Sequence, residues 1–216
     1  MRDGLPIARV DRLQRHWRLK LLMGTVLSAL FCTGYFGLQR FHFGHPRTLP
    51  LTAIDRAVPF APGWAIVYQS MYLTLPLAWL AESRAQLRRY VVGFCVIAGV
   101  GFACFLIFPV HGPRPSGQVD GLLALVHAYD SPLNSFPSLH MTLATYTALF
   151  ALRVLRWPGF GTALLPTWIA LIGYATLATK QHYAIDVPAG VVLGVVGHVV
   201  SRGHRGGAAS SLRVEI

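Results

Sequence analysis

Acidic residues are scarce in this sequence. Its 216 residues hold 8 Asp and Glu against 19 Lys and Arg, and charged residues make up only 12% of the chain. Soluble domains carry about 25%. A chain that is also 54% hydrophobic, with a mean hydropathy of +0.49, is therefore read as a membrane protein. Cysteine is nearly absent too. Cys32, Cys95 and Cys104 all fall inside apolar runs, which excludes a disulfide framework or a zinc spacing and predicts small buried residues. Low-complexity stretches and strong internal repeats are missing as well. The net charge of +11 does not point to nucleic acid, because the basic residues flank the apolar segments. Anionic lipid headgroups are the contact they fit.

Crossing the hydrocarbon takes about 20 mostly apolar residues as helix. Six stretches qualify, at roughly 20–38, 63–81, 90–110, 138–154, 160–178 and 183–201. The first starts late and lacks a small-residue cleavage site before Gln39, so it reads as a retained helix and not as a signal peptide. The fold expected is all-α, a polytopic six-helix membrane bundle forming one domain over 1–216, with a basic cytoplasmic amino terminus at 1–19 and a cytoplasmic tail at 202–216. With the amino terminus inside, 14 of the 19 Lys and Arg lie on the cytoplasmic side, among them Arg2, Arg9, Arg84, Arg88, Arg89, Arg153, Arg156 and Arg202. Arg40, Arg47, Arg56, Arg114 and Lys180 lie outside. The orientation is N-in, C-in. The outer loops carry two short segments, about Leu51–Val58 and Val119–Tyr129, that suit interfacial helices.

Polar residues concentrate where helices meet the outer face. His111-Gly-Pro-Arg114-Pro follows the third span, Asn134-Ser-Phe-Pro-Ser138-Leu139-His140 opens the fourth, and Thr179-Lys180-Gln-His182-Tyr-Ala-Ile-Asp186 joins the fifth to the sixth. The topology puts all three on one side. Pro137 and Ser135 fit a helix start, but that does not explain His140 one turn further in. A helix opening at Pro137 leaves the N–H groups of Ser138, Leu139 and His140 free to hold an anion. Arg114 and Lys180 supply positive charge, Arg114 with a fork that matches phosphate oxygens, and Ser138 adds a hydroxyl. His182 and Asp186 stand four residues apart at a helix start, on one face. An Asp that binds one imidazole nitrogen leaves the other as a lone-pair nucleophile, and His140 can protonate a leaving oxygen.

Each residue has a plainer reading. A single His at a membrane boundary is more often a packing residue, and that is the reading for His42, His45, His127, His198 and His204. An Asp near a helix start usually serves the helix dipole. His182 and Asp186 could also supply two metal ligands, but Arg114 and Lys180 beside them would repel a divalent cation. Chemistry without metal or other cofactor is expected. Ionisable groups near the membrane are costly without a purpose, and five polar groups on one predicted face favour a site.

At these residues the chain resembles the type 2 phosphatidic acid phosphatase superfamily, whose motifs are Lys-x6-Arg-Pro, Pro-Ser-Gly-His and Ser-Arg-x5-His-x3-Asp. Pro137-Ser138-Leu139-His140 matches the second, Ala175-Thr176-x5-His182-x3-Asp186 the third, and Arg114-Pro115 the end of the first. Ile107 stands where the family has Lys, Leu139 replaces Gly, and Ala175-Thr176 replaces Ser-Arg. Lys180, two residues before His182, is placed to restore one lost cation. The forms Phe-Pro-Ser-Leu-His and Thr-Lys-Gln-His-Tyr-x-x-Asp-Val, with the stretch from Asp55-Arg-Ala-Val-Pro-Phe through Tyr68, are similar to the branch containing inositol phosphorylceramide synthases.

The resemblance implies a phosphohistidine enzyme. His182 is then the nucleophile, Asp186 its orienting partner and His140 the acid, with Arg114, Ser138, Leu139 and Lys180 at the phosphate. A pocket at helix ends reaches a headgroup, so the expected substrate is a lipid phosphate or pyrophosphate. Hydrolysis is preferred. Headgroup transfer between lipids is the second enzyme reading, and a non-catalytic six-helix lipid-binding protein the third. The expected surroundings are a bilayer with anionic lipids on the cytoplasmic side, without nucleic acid. Size and inward-biased charge fit a bacterial inner membrane, the site facing the periplasm or exterior.

Overall fold

A computed structural model describes residues 13–39, 41, 43–155 and 160–203. Most of the basic amino terminus, Arg40, His42, Arg156 and the tail from His204 lie outside the described residues. The rest is mainly helical. In chain order come α1 (Trp17–Leu38), β1 (Arg47–Thr48), α2 (Ala53–Ala57), α3 (Ala65–Gln69), a 3-10 helix (Ser70–Leu80), α4 (Arg84–Ile107), β2 (Val110–His111), α5 (Gly121–Tyr129), α6 (Leu139–Leu155), α7 (Phe160–Ala178) and α8 (Asp186–Gly203). Both loop helices expected from the sequence are present, as α2 and α5.

Of the six expected spans, α1 and α4 are helices long and apolar enough to cross a membrane. The second stretch, 63–81, differs most from a regular span. It is a short α-helix running into 3-10 turns, with Pro76 inside. Proline has no N–H to give an α-helical ladder, and the hydroxyls of Ser70 and Thr74 cap the carbonyls of Val67 and Met71. The fourth helix begins at Leu139, two residues later than Pro137 suggested. Ser138 is its cap, the hydroxyl accepting from the Met141 N–H at 3.4 Å. Cys32 and Cys95 correct another expectation: both are exposed, not buried.

The core is the crossing of α6 with α8. Glycine makes it close: a Cβ on Gly190 would stand 2.5 Å from the Ser138 carbonyl oxygen, and one on Gly194 2.7 Å from that of Thr142. Tyr146 of α6 ties the pair to α4, its hydroxyl donating to the Tyr90 carbonyl at 2.8 Å. The crossing therefore sets the start of α6, with His140, against the start of α8, with Asp186.

The loops close the same end. β1 and β2 pair in parallel, Arg47 with Val110 and Thr48 with His111. Val110 also exchanges backbone bonds with Leu133 and Ser135 at 3.1 and 3.3 Å, which lays the first polar cluster along the second. Gly112 reaches the third, because a Cβ there would lie 2.8 Å from the Gln181 carbonyl oxygen.

Candidate active site

His182 is 5% exposed and Asp186 fully buried. The imidazole Nδ1 lies 2.9 Å from the Ser135 carbonyl oxygen and 3.4 Å from Asp186 Oδ2. A carbonyl oxygen can only accept, so Nδ1 carries a proton, and in the neutral ring Nε2 keeps its lone pair. Asp186 Oδ2 is itself held in place. It accepts from the Ser135 hydroxyl and from the Tyr183 N–H at 2.9 Å. Ser135, read from the sequence as a helix-start residue, instead clasps both members of the His–Asp pair. Its position five residues before His140 was the available signal.

His140 stands across the site, its ring centre 6.1 Å from that of His182. Its Nδ1 is 3.0 Å from the Tyr68 hydroxyl, and the two rings stack at 4.2 Å. Tyr72 meets the same imidazole edge-on. Tyr68 closes the family-like stretch that starts at Asp55, but the sequence assigns neither tyrosine a role, since both sit in the apolar stretch that supplies the bundle.

Ser138 is fully buried. Its N–H donates to the Asp186 carbonyl at 3.3 Å, so of the three N–H groups expected to hold an anion those of Leu139 and His140 remain at the open first turn of α6. The Leu139 side chain packs back towards Gly101 of α4 and does not narrow the site.

Arg114 is anchored by Asp130, with one guanidinium nitrogen 2.9 Å from its carbonyl oxygen and another 3.2 Å from Oδ2. Its Nε is buried without a partner among the described residues. Burial raises the Asp130 carboxyl, while the Tyr35 hydroxyl, Arg114 and His182 pull it back only in part. Asp130 is one of only eight acidic residues in the chain, but its sequence neighbours do not show that it pairs with Arg114. His127 lies behind this group. Burial and the Arg114 charge lower its pKa, which suits a neutral ring accepting from the Gln181 amide at 2.8 Å.

Lys180 is turned away from the phosphate role expected of it. Its ammonium donates to the carbonyls of Asp55 and Val58 at 2.7 and 2.6 Å, and its own backbone is left-handed, φ 54°. Asp55 completes the clamp. One oxygen accepts from the Ala184 N–H at 2.7 Å, the other from the Thr52 N–H that starts α2. Burial would raise this carboxyl, but those bonds and Lys180 outweigh it and hold it below the usual range. The loop that carries α2 is thus stapled to the segment that carries His182.

Among the described residues, no group of three His, Cys, Asp or Glu is arranged to hold a metal ion. The arrangement offers an imidazole held through Nδ1, a second imidazole facing it and an arginine with a spare donor. A model of the family described as PAP2 superfamily matches residues 39–200. No curated protein and no solved structure matches the chain.

Proposed function

Because the chain belongs to the PAP2 superfamily and its chemistry is of the phosphatase or phosphotransferase type, we propose that it is an integral membrane lipid phosphatase working through a phosphohistidine. The observation that carries this reading is the His182 ring, with Nδ1 committed to Ser135 and Asp186 and Nε2 left as a nucleophile. Nε2 attacks phosphorus as the bond to the lipid oxygen breaks, and His140 gives that oxygen its proton. Water then attacks the phosphohistidine, His140 takes the water proton, and inorganic phosphate leaves with His182 restored. Arg114 Nε, the Ser138 hydroxyl and the N–H groups of Leu139 and His140 hold the phosphoryl oxygens, where fixed donors stabilise the developing charge. Lys180 serves by fixing the Asp55 loop, and the reaction needs no metal.

The reading includes one six-helix domain, N-in and C-in, with the site at the outer face of a bacterial inner membrane. A transferase that hands the phosphoryl-bearing headgroup to a lipid hydroxyl, like the inositol phosphorylceramide synthases, is favoured by one observation: the burial of His182 and Asp186 limits the entry of bulk water. A non-catalytic lipid-binding role leaves the paired histidines without a purpose.

The test is turnover by purified protein with EDTA present, beside His182→Ala. Phosphatidic acid, isoprenyl pyrophosphate and phosphatidylinositol are offered with and without diacylglycerol or ceramide. Free phosphate from wild type alone supports the phosphatase, and a new lipid without free phosphate supports the transferase. Equal inertness of both proteins on every lipid overturns the enzymatic reading.

A further inference from the structure

At the far end of the bundle a second polar cavity opens. It measures about 500 Å³ and is lined by Gln86 and Arg89 of α4, Phe150 and Arg153 of α6, and Ser201 and Arg202 of α8. Thirteen residues of α6 separate Arg153 from His140, about 20 Å of helical rise, so this cavity is separate from the candidate active site.

Three arginines and one carboxylate, Glu82, line it, so its net charge is positive. Among the described residues, no carboxylate pairs with the guanidinium groups of Arg89, Arg153 or Arg202. Glu82 lies within electrostatic reach of the Lys20 ammonium as well. Helix dipoles account for two of the three arginines, since Arg153 and Arg202 stand at the carboxyl-terminal ends of α6 and α8, where cations are favoured. Arg89 is in the second turn of α4, at the opposite pole, and the dipole gives no reason for a cation there. Gln86 adds donors. Its side-chain oxygen is taken by the N–H groups of Glu82 and Ser83, which leaves its NH2 group for the cavity. Convergent guanidinium forks with a spare amide suit the oxygens of a phosphate, and Phe150 and Val154 supply an apolar wall.

We propose that this cavity binds a phosphate-bearing anion, and that its occupant in the membrane is the headgroup of an anionic phospholipid from the leaflet opposite the reaction site. Basic pockets between helices at a membrane face are suited to such headgroups. The site holds a resident lipid in place and takes no part in turnover.

The experiment reads binding, not activity, on full-length His182→Ala protein, so that it does not depend on the catalytic reading. Protein is exchanged into detergent with phosphatidylglycerol, phosphatidylcholine or inorganic phosphate, and bound lipid and melting temperature are followed. Phosphatidylglycerol is expected to stay bound and raise the melting temperature, and phosphatidylcholine is not. The triple variant Arg89→Gln, Arg153→Gln, Arg202→Gln should weaken that binding by at least about tenfold. Arg84→Gln with Arg88→Gln, exposed at the same end of α4 but outside the cavity lining, should leave it unchanged. Protection by inorganic phosphate as well supports the same site with the acyl chains dispensable. The exposed Arg153→Gln and Arg202→Gln single variants repeat the measurement should the triple variant fold poorly. Equal binding in variants and parent, or equal loss in the Arg84, Arg88 control, overturns the proposal.

Discussion

The backbone carbonyl of Ser135 lies 2.9 Å from Nδ1 of His182, nearer than the 3.4 Å of the Asp186 carboxylate. The ring is therefore oriented by two acceptors. The carbonyl fixes the tautomer, and the carboxylate contributes the negative charge that would steady the ring in the proposed phosphohistidine.

That division of labour sets the outcome of Asp186→Asn. The tautomer survives through Ser135, so the loss is expected to fall short of the about 10⁴-fold seen when an orienting Asp is the sole determinant. A fall in kcat of about 10²-fold is expected, with KM little changed. Steady-state kinetics on the folded variant check this, and an unchanged kcat removes Asp186 from the mechanism.

Tyr68 is expected to act on His140 through its hydroxyl, which lies 3.0 Å from Nδ1. Tyr68→Phe keeps the stacked ring and deletes only that bond, so kcat should fall about tenfold, the value of one lost hydrogen bond to a group that charges during the reaction. His140→Ala should cost more, about 10²–10⁴-fold, the range for a general acid. If Tyr68→Phe matches wild type across the pH profile while His140→Ala is inactive, the hydroxyl has only a packing role.

Much of this site could be read from residue order alone. His182, Asp186, His140 and Arg114 stand in short polar runs within an apolar chain, where a polar residue is conspicuous. The roles of Tyr68, Asp130 and Asp55 are not legible there because their partners are 72, 16 and 129 residues distant, for His140, Arg114 and Ala184 respectively. Pairing at that range is decided by the α6–α8 crossing and the β1–β2 ladder, which no local pattern encodes. Helix positions followed from apolar length, and the second stretch misled because Pro76 changes the winding without changing the hydropathy. Lys180 misled for a related reason: its charge was legible, but not the two carbonyls that satisfy it.

Asp55 links stability to pH. Its carboxyl is held below its ordinary range in the folded protein, so its contribution is complete above the unfolded value, about pH 4, and is lost as pH falls through the lower folded value. Asp55→Ala removes the bonds to Thr52 and Ala184 and should cost about 2 kcal/mol at neutral pH. Thermal unfolding in detergent should show a constant gap from wild type between pH 7 and about 5, closing as the medium becomes more acid than about pH 4. A gap that stays the same at pH 3 would mean that the Asp55 charge adds nothing to the clamp.

The α6–α8 crossing can be tested with a single methyl group. In Gly190→Ala the new Cβ would meet the Ser138 carbonyl oxygen at 2.5 Å and the Met141 Cβ at 2.9 Å. Both are bonded to backbone that a side-chain rotation cannot move, so the helices must part, at about 1–3 kcal/mol for overpacking. Parting them also strains the bond from the Ser138 N–H to the Asp186 carbonyl, which joins the two halves of the site. Activity should therefore fall together with melting temperature. Gly99→Ala is the control, because its Cβ meets nothing within 4 Å and Ala is the better helix former by about 1 kcal/mol. It should leave turnover intact and hold or raise stability. If Gly190→Ala behaves like Gly99→Ala in both measurements, the two helices are not as close as the crossing requires, and the juxtaposition of His140 with His182 loses its support.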